Sequence, residues 1–328
     1  MLSKIIRRAK RFWYGIQAPN SLPMLAFALC NRSRTPVNTP NQLAQPNREY
    51  PERPRAPRRE PQLDPSWPHV PEVVFQTWKS RNQIPSNYDI WSRSFSRHNP
   101  RYDCMIWDDQ DNREFITEHF PWFLPFYDQY PKEIFRADAV RYFFLYKFGG
   151  LYADMDTECL KPLDPVLRSG DAIVGRMGND ERFEHSIPNA MMAGKRHHLI
   201  WLLAIAMMIE KFRDCGAPEE MERRGPETLT GPILLKSTVD FYISAAESKV
   251  RKRAGWVIDQ VNAAGLPPVL SGNVRILAPD LWYPVDWTNP FHQAFRRTLV
   301  AKKMVLSTEQ TDRLFPDSYL VTYWSHSW

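Results

Sequence analysis

The sequence has 328 residues, of which 43% are hydrophobic, and its formal net charge is +6. This length can bury one substantial core, and four cysteines without a CxxC pair or zinc-ligand spacing argue against a disulfide-rich scaffold or a zinc finger. The positive charge is compatible with an anionic partner such as nucleic acid, a membrane surface or a phosphorylated ligand, and equally with a simple basic tail.

Residues 1–68 are predicted to be a basic, Pro/Arg-rich tail or linker. Its second half is rich in Pro, Arg, Asn and Gln, and such a composition cannot bury enough apolar surface to offset the entropy of ordering, so we expect disorder. The arginines lack interleaved aromatics, which argues against nucleic acid as a partner. Leu22–Cys30 is apolar but far shorter than the roughly 20 residues that a membrane span needs. We therefore expect no clear transmembrane helix, while membrane association through the basic N-terminal region stays an open alternative.

The folded domain is predicted to span residues 69–328, where strand and helix patterns alternate. In chain order the predicted elements are strand Glu72–Trp78, helix Tyr88–His98, strand Tyr102–Trp107, helix Asn112–His119, helix Ile134–Phe148, strand Leu151–Asp154, strand Ile173–Val174, buried helix Leu199–Ile209 and strand Ser318–Trp324. His197 and His198 are expected at the surface, where that buried helix starts. The alternation favours an α/β fold with a parallel or mixed sheet, in which ligands bind at the carboxyl ends of the strands.

Asp154 and Asp156 follow the predicted strand that begins at Leu151. Residues i and i+2 of a strand share a face, so both carboxylates are expected to address one site. Two carboxylates suit Mg²⁺ or Mn²⁺, which bind such groups together with the phosphates of a substrate. An isolated acidic pair of this kind is also typical of a solvated turn.

Asp138 and Arg141 lie three residues apart in the preceding helix, and therefore on one helical face. The rest of that helix is strongly apolar, which predicts that the helix is buried and that its charges face a cavity or each other. The alternative is a surface ion pair of little energetic value.

Several motifs around these residues form one pattern. They are RADAVRY, a double glycine, LYADMD followed by LKPLD, the entry strand VPEVVFQTWKS, HNPRYDCMIWDD, Thr230-Gly231-Pro232 and the end His326-Ser327-Trp328. Together they resemble glycosyltransferase family 32, the DxD sugar transferases that include initiating α-1,6-mannosyltransferases and inositol-phosphoceramide mannosyltransferases. The resemblance covers nearly all of residues 70–328. One departure is Phe75, where the family usually has a histidine that we interpret as structural.

The resemblance implies a GT-A type fold with a mixed central sheet flanked by helices, and it implies a role for each matched residue. The metal ligands would be Asp154, Asp156 and His326; the donor-binding residues would be Trp78, Asp138, Arg141, Asp154, Asn189, Ser327 and Trp328; the catalytic residues would be Asp154, Asp156 and Arg141. Trp78 would stack on the nucleobase, Asn189 would lie near the transferred sugar, and Ser327 and Trp328 would close over the diphosphate. By residue type alone, Trp78 is as well expected in the core, His326 at the surface and Asn189 at a helix cap.

The function that the resemblance implies is a retaining, metal-dependent transfer of mannose or another hexose. The donor would be GDP-mannose or a UDP-hexose, the cation Mn²⁺ or Mg²⁺, and the acceptor a glycan or a glycolipid. The family's usual setting is the Golgi or another secretory-pathway compartment. A nucleotide-sugar hydrolase and a non-catalytic protein that binds sugar nucleotides are the alternatives.

Overall fold

The computed structural model describes residues 58–64 and 69–325. Within these ranges the strands are β1 (Val73–Thr77), β2 (Asp103–Trp107), β3 (Gly150–Ala153), β4 (Thr157–Cys159), β5 (Ala172–Gly175), β6 (Met191–Gly194), β7 (Val274–Leu277) and β8 (Leu320–Thr322). The helices are α1 (Ser86–His98), α2 (Asp109–His119), α3 (Leu124–Gln129), α4 (Glu133–Lys147), α5 (Asp164–Leu167), α6 (Leu199–Cys215), α7 (Pro218–Arg224), α8 (Pro226–Leu229), α9 (Pro232–Ser244), α10 (Glu247–Arg253), α11 (Gly255–Ala263), α12 (Pro279–Trp282), α13 (Pro290–Ala301) and α14 (Thr308–Leu314).

Six of these strands form one twisted layer in the order β2-β1-β3-β6-β5-β7. β1 is parallel to β2 and β3, and β5 is parallel to β7, whereas β6 runs antiparallel to both of its neighbours. β4 and β8 form a separate antiparallel ribbon. The expected α/β fold, a mixed central sheet flanked by helices, is therefore confirmed.

β1 shows how the sheet separates two apolar cores. Val73 and Phe75 pack into the cluster that contains α4 and α6, whereas Val74 points into the cluster on the other face. The ring of Phe75 stacks on Phe144 and Phe148, with centroid distances of 5.0 Å and 5.4 Å. The position where the family usually has a histidine is thus a core position in this chain.

Most of the predicted elements are present, although their ends shift. The helix predicted from Asn112 begins at Asp109, because a capping box places its start further upstream. Asp108 accepts a hydrogen bond from the backbone N–H of Asp111, and the carboxylate of Asp111 accepts one from the N–H of Asp108. Strands β4, β6 and β7, which have three or four residues each, were not predicted.

The buried apolar helix predicted from Leu199 is confirmed as α6, but the surface position predicted for the two histidines before it is wrong. His197 and His198 are both buried. The Nδ1 atom of His198 accepts a hydrogen bond from the backbone N–H of Ile200 at 3.2 Å, so this histidine caps a helix that is enclosed from its first turn. Among the described residues, no helix combines the length and the apolarity that crossing a bilayer requires.

Gly149 and Gly150 join α4 to β3 in a turn that only glycine tolerates. Their φ angles are +66° and +87°, in the left-handed region. A Cβ on Gly150 would approach Val73 O to 2.6 Å, and one on Gly149 would approach Arg196 N to 2.7 Å. The double glycine thus allows β3 to pair closely with β1 and to leave the sheet at Asp154.

Residues 58–64, within the predicted tail, lie against the folded domain. Arg59 is hydrogen-bonded to Asp103 at 2.7 Å, Arg58 contacts Glu118, and Leu63 packs on the core. The domain boundary at residue 68 stays a prediction, and residues 1–57 and 65–68 of the tail lie outside the described residues.

Candidate active site

Asp154 and Asp156 lie at the end of β3, in a turn and not in a strand. β3 ends at Ala153, and the backbone N–H of Thr157 donates a hydrogen bond to Asp154 O at 3.0 Å, which closes a four-residue turn. Strand alternation is therefore the wrong reason for their common orientation, although both carboxylates do line one small cavity. Each residue is only 7% exposed. The cavity is lined by Thr77, Trp78, Tyr88, Asp154, Met155, Asp156 and Ser325.

The carboxylate of Asp154 is fixed through one of its two oxygens. Tyr152 donates its phenolic O–H to Oδ1 at 2.9 Å, and Arg141 Nη2 lies 3.1 Å from the same atom. The Arg141 guanidinium also lies over the ring of Tyr152, 4.7 Å from its centroid, and Thr77 Oγ1 is 3.1 Å from the Tyr152 hydroxyl. Both of these contacts involve Oδ1, so within the described residues Oδ2 is the oxygen that we expect to be available to a cation.

Asp138 and Arg141 form the buried pair that was predicted for α4. Arg141 Nη2 lies 3.0 Å from Asp138 Oδ1, and Asn189 donates to that oxygen at 2.9 Å. Arg141 Nη1 donates to the backbone oxygen of Asn189 at 2.9 Å, and Thr230 Oγ1 lies 3.5 Å from Asp138 Oδ2. The structure thus brings Asp138, Arg141, Asn189 and Asp154 into one network, and it adds Thr230 and Tyr152.

This network holds two buried carboxylates next to one buried guanidinium. Burial raises the pKa of Asp154 to about 7. The positive charge of Arg141 lowers this pKa, whereas the negative charge of Asp156 raises it. Burial also raises the pKa of Asp138, again opposed by Arg141. Burial lowers the pKa of Arg141, but the charges of its neighbours, Asp154 foremost, raise it above its ordinary value. The guanidinium therefore stays charged, and the two carboxylates compete for it.

Asp156 is held by the last described segment of the chain. Ser325 donates to Asp156 Oδ2 twice, from its backbone N–H at 2.7 Å and from Oγ at 2.9 Å. Thr322 Oγ1 donates to Oδ1 at 3.2 Å. Trp324, between them, has a φ of +49°, a left-handed conformation that is uncommon for a bulky residue and that turns the chain back over the carboxylate.

Thr322 and Ser325 were not predicted as site residues. The single signal in the sequence was their position just before the predicted closing segment, since nothing in residue type marks a threonine or a serine as a partner of Asp156. The predicted site residues His326, Ser327 and Trp328 lie outside the described residues.

Trp78 lines the same cavity as the two aspartates. Its ring is tilted against that of Tyr88 at a centroid distance of 4.9 Å, and its Nε1 donates to Gln83 O at 3.0 Å. The residue is half-buried: it packs on a third apolar cluster, which contains Tyr88, Trp91 and Tyr323, and keeps part of its surface exposed. Its predicted role as a platform for the nucleobase stays a prediction.

A second cluster of side chains that could bind a metal lies on the surface. Among the described residues, Glu60, Glu118 and His119 offer three ligand atoms within 4.8 Å of one another. Arg58 contacts Glu118 there and supplies the positive charge that a cation would bring. This surface group is formed by α2 and the segment before the domain, apart from the cavity at Asp154.

Comparisons with known proteins match the part of the chain that carries this site. Residues 86–172 match the family model described as a glycosyltransferase sugar-binding region containing a DXD motif. Inositol phosphoceramide mannosyltransferase 3 of Schizosaccharomyces pombe is 47% identical over 98 residues, which cover 30% of this chain and 27% of that protein. Inositol phosphoceramide mannosyltransferase 2 of the same yeast is 33% identical over 167 residues, which cover 44% of this chain and 48% of that protein.

Among solved structures, the PaToxG glycosyltransferase is similar with a TM-score of 0.43 and 15% sequence identity, over 77% of this chain and 91% of that one. The sequence matches span between about a quarter and a half of the length of the two yeast relatives. The matched region includes α4, the double glycine and both aspartates. The resemblance drawn from the motifs is thus confirmed for this region: residues 86–172 match the glycosyltransferase sugar-binding region containing a DXD motif, and the two yeast relatives that match the chain are mannosyltransferases by name.

Proposed function

We propose that this chain is a retaining hexosyltransferase that takes mannose or another hexose from a nucleotide-sugar donor in the presence of a divalent cation. One observation supports this most strongly. Asp154 and Asp156 line one cavity beside the buried Asp138–Arg141 pair, inside the region that matches the DXD model. Paired carboxylates suit a cation with a diphosphate, and a buried arginine suits the negative charge that develops on a departing phosphate.

The relatives guide the choice of donor and acceptor. Both yeast proteins are named inositol phosphoceramide mannosyltransferases, which favours GDP-mannose as the donor here, with a UDP-hexose as the second choice. The same names favour an inositol-containing lipid as the acceptor over a glycan. By analogy with the family, we place the enzyme in the Golgi or another secretory-pathway compartment, associated with the membrane through its N-terminal region.

The residues present fit Mn²⁺ or Mg²⁺, because carboxylate oxygens are the ligands that these hard cations prefer. Asp154 would bind through Oδ2 and Asp156 through the oxygens that Thr322 and Ser325 orient, with His326 as the proposed third ligand. When bound, the cation would neutralise charge on the donor's diphosphate.

Side chains of the protein would bind and orient the donor. Arg141 is held between two carboxylates and so is fixed in place as a positive charge beside the phosphate. Asp138 and Asn189 would orient the hydroxyls of the sugar, and Trp78 would stack on the base. Ser327 and Trp328 would close over the diphosphate. We assign no side chain as a nucleophile, so the acceptor hydroxyl would attack the sugar from the face on which the diphosphate departs, with retention.

The test is a donor screen with the purified full chain. GDP-mannose and several UDP-hexoses are each incubated with MnCl₂, with and without an inositol or mannoside acceptor, and released nucleoside diphosphate and glycosylated product are measured. A transferase gives a product that contains the acceptor. Release of free sugar that no acceptor diverts would identify a nucleotide-sugar hydrolase, and donor binding without turnover would identify a non-catalytic protein.

Asp156→Ala provides the matching variant. We expect it to lower metal-dependent turnover by roughly 100-fold or more, because electrostatic stabilisation of the leaving group is lost. Asp259→Ala removes an exposed carboxylate from α11 and serves as the control. Turnover by Asp156→Ala at the level of this control would contradict the assignment.

A further inference from the structure

Two loops meet next to the residues that we assign to the donor sugar. One connects β5 to β6 and contains Asn189, and the other connects α12 to α13. The hydroxyl of Tyr283 joins them, since it donates to Pro188 O at 3.2 Å and accepts from the backbone N–H of Met191 at 2.8 Å. Asn189 therefore lies in a segment of the first loop that Tyr283 hydrogen-bonds to the second loop.

The outer part of this pair carries three aromatic rings. The ring centroids of Phe183 and His185 are 5.5 Å apart, and those of both residues lie 5.7 Å and 5.6 Å from Trp287. Phe183 and Trp287 also pack on the apolar cluster that contains Val74. All three residues are nevertheless only half-buried. They therefore form a fixed aromatic surface that still reaches solvent.

An exposed acidic residue, Glu227, lies next to the buried pair. A Cβ on Gly231 would be 3.0 Å from Asp138 Oδ2 and 3.0 Å from Glu227 Cα, so the backbone of Glu227 is a close neighbour of Asp138. Burial lowers the pKa of His185, and the charge of Glu227 opposes that shift. The backbone of Glu227 thus borders the proposed sugar subsite, and its charge acts on His185 of the aromatic surface.

We propose that Phe183, His185, Trp287 and Glu227 form the acceptor subsite and that it takes a hydroxylated six-membered ring, either a pyranose or a cyclitol. The C–H face of such a ring packs on aromatic side chains, while its hydroxyls donate hydrogen bonds to a carboxylate. Binding sites of this kind combine aromatic walls with a few polar groups that fix orientation. The assignment rests on the proposed transferase function and gives the acceptor a position next to the transferred sugar.

The test compares Trp287→Ala with Trp287→Phe, which keeps an aromatic face. Methyl α-D-mannopyranoside and myo-inositol serve as acceptor probes, one for each source of the ring. We expect Trp287→Ala to raise the KM for the preferred probe at least about tenfold and to shift products from transfer towards donor hydrolysis by a similar factor. Trp287→Phe should recover most of this loss. Phe291→Ala, which removes an aromatic side chain that is 62% exposed on α13, is the control.

His185→Ala provides a second variant in case Trp287→Ala fails to fold, and it should show the same shift towards hydrolysis. Equal losses of transfer and hydrolysis in both alanine variants, or an unchanged acceptor KM, would overturn the subsite. A wild-type chain that releases no nucleoside diphosphate from any donor would instead overturn the proposed function. In that event saturation-transfer NMR with the two probes, compared between the wild type and Trp287→Ala, still reports whether ring binding depends on Trp287.

Discussion

Single side chains set the charge balance of the candidate site, and Tyr152 shows this best. Its hydroxyl donates to Asp154 Oδ1, and its ring lies beneath the guanidinium of Arg141. One residue therefore orients a proposed metal ligand and supports the cation that balances it. Removing Arg141 itself would leave two buried carboxylates without the positive charge that balances them, so Tyr152 is the better residue for a test that preserves the fold.

Tyr152→Phe should keep the ring and remove the hydrogen bonds of its hydroxyl to Asp154 and Thr77. We expect it to lower the free energy of unfolding by about 1 kcal/mol and to weaken Mn²⁺ binding by roughly tenfold, since partners of metal ligands affect affinity on that scale. Urea unfolding and Mn²⁺ titration by electron paramagnetic resonance give the two values. Tyr146→Phe is a matched control, because the hydroxyl of Tyr146 is buried and has no hydrogen-bond partner within the described part of the chain. If both variants bind Mn²⁺ equally well, Tyr152 does not orient Asp154.

Among the elements, α6 shows how burial fixes a protonation state. His198 caps this helix through Nδ1, which must stay unprotonated in order to accept the N–H of Ile200. Burial lowers the pKa of His198 to about 4. The folded pKa lies below the ordinary unfolded value, so the unfolded chain binds the proton first as the pH falls. The stability associated with this histidine is therefore present at neutral pH and is lost between about pH 6.5 and pH 4.

His198→Asn should reduce that loss. Asparagine keeps an acceptor for the helix N-terminus but does not titrate. Between pH 7 and pH 5 we expect the free energy of unfolding to fall by about 2 kcal/mol less in the variant than in the wild type. Urea unfolding at the two pH values measures the difference. Parallel losses in the two proteins would show that His198 does not titrate within this window.

Elements also differ in how well the sequence predicted them. α4 and β3 were predictable because a long apolar helix ends at two glycines and a short apolar strand follows. β6 was not, since Met191–Gly194 contains neither a β-branched nor an aromatic residue and is a strand through its pairing with β3 and β5. Asp154 and Asp156 line the same cavity although the strand ends before both of them, because a tight turn orients the two carboxylates, and their role as metal ligands stays a prediction.

At the scale of the whole molecule, the site joins residues that are far apart in sequence. Asp138, Asp154 and Asn189 come from the middle of the chain, whereas Thr322 and Ser325 come from the segment after β8. Local patterns can identify the first group, but no periodicity or spacing connects Asp156 to a serine 169 residues later. Only the antiparallel pairing of β4 with β8 brings them together.

Ser325→Ala and Thr322→Val test this long-range contact. Each removes one hydroxyl that donates to Asp156, so each should weaken Mn²⁺ binding by about tenfold, while Thr322→Ser should bind as the wild type does. Calorimetric titration with MnCl₂ gives the affinities, and thermal unfolding checks that the fold is kept. Wild-type affinity in both variants would mean that the segment after β8 has no part in holding the cation.

The hydrogen bonds from Ser325 to Asp156 can form only late during synthesis of the chain. A ribosome adds about 5–20 residues per second, so the aspartate leaves it on the order of ten seconds before its serine partner does. Until then β4 has no β8 to pair with, and Asp156 lacks the donors that orient it. A nascent chain can thus bury most of its core before the proposed cation site is complete, so we expect binding of the cation and of the proposed donor only after β8 and the segment that follows it have been made.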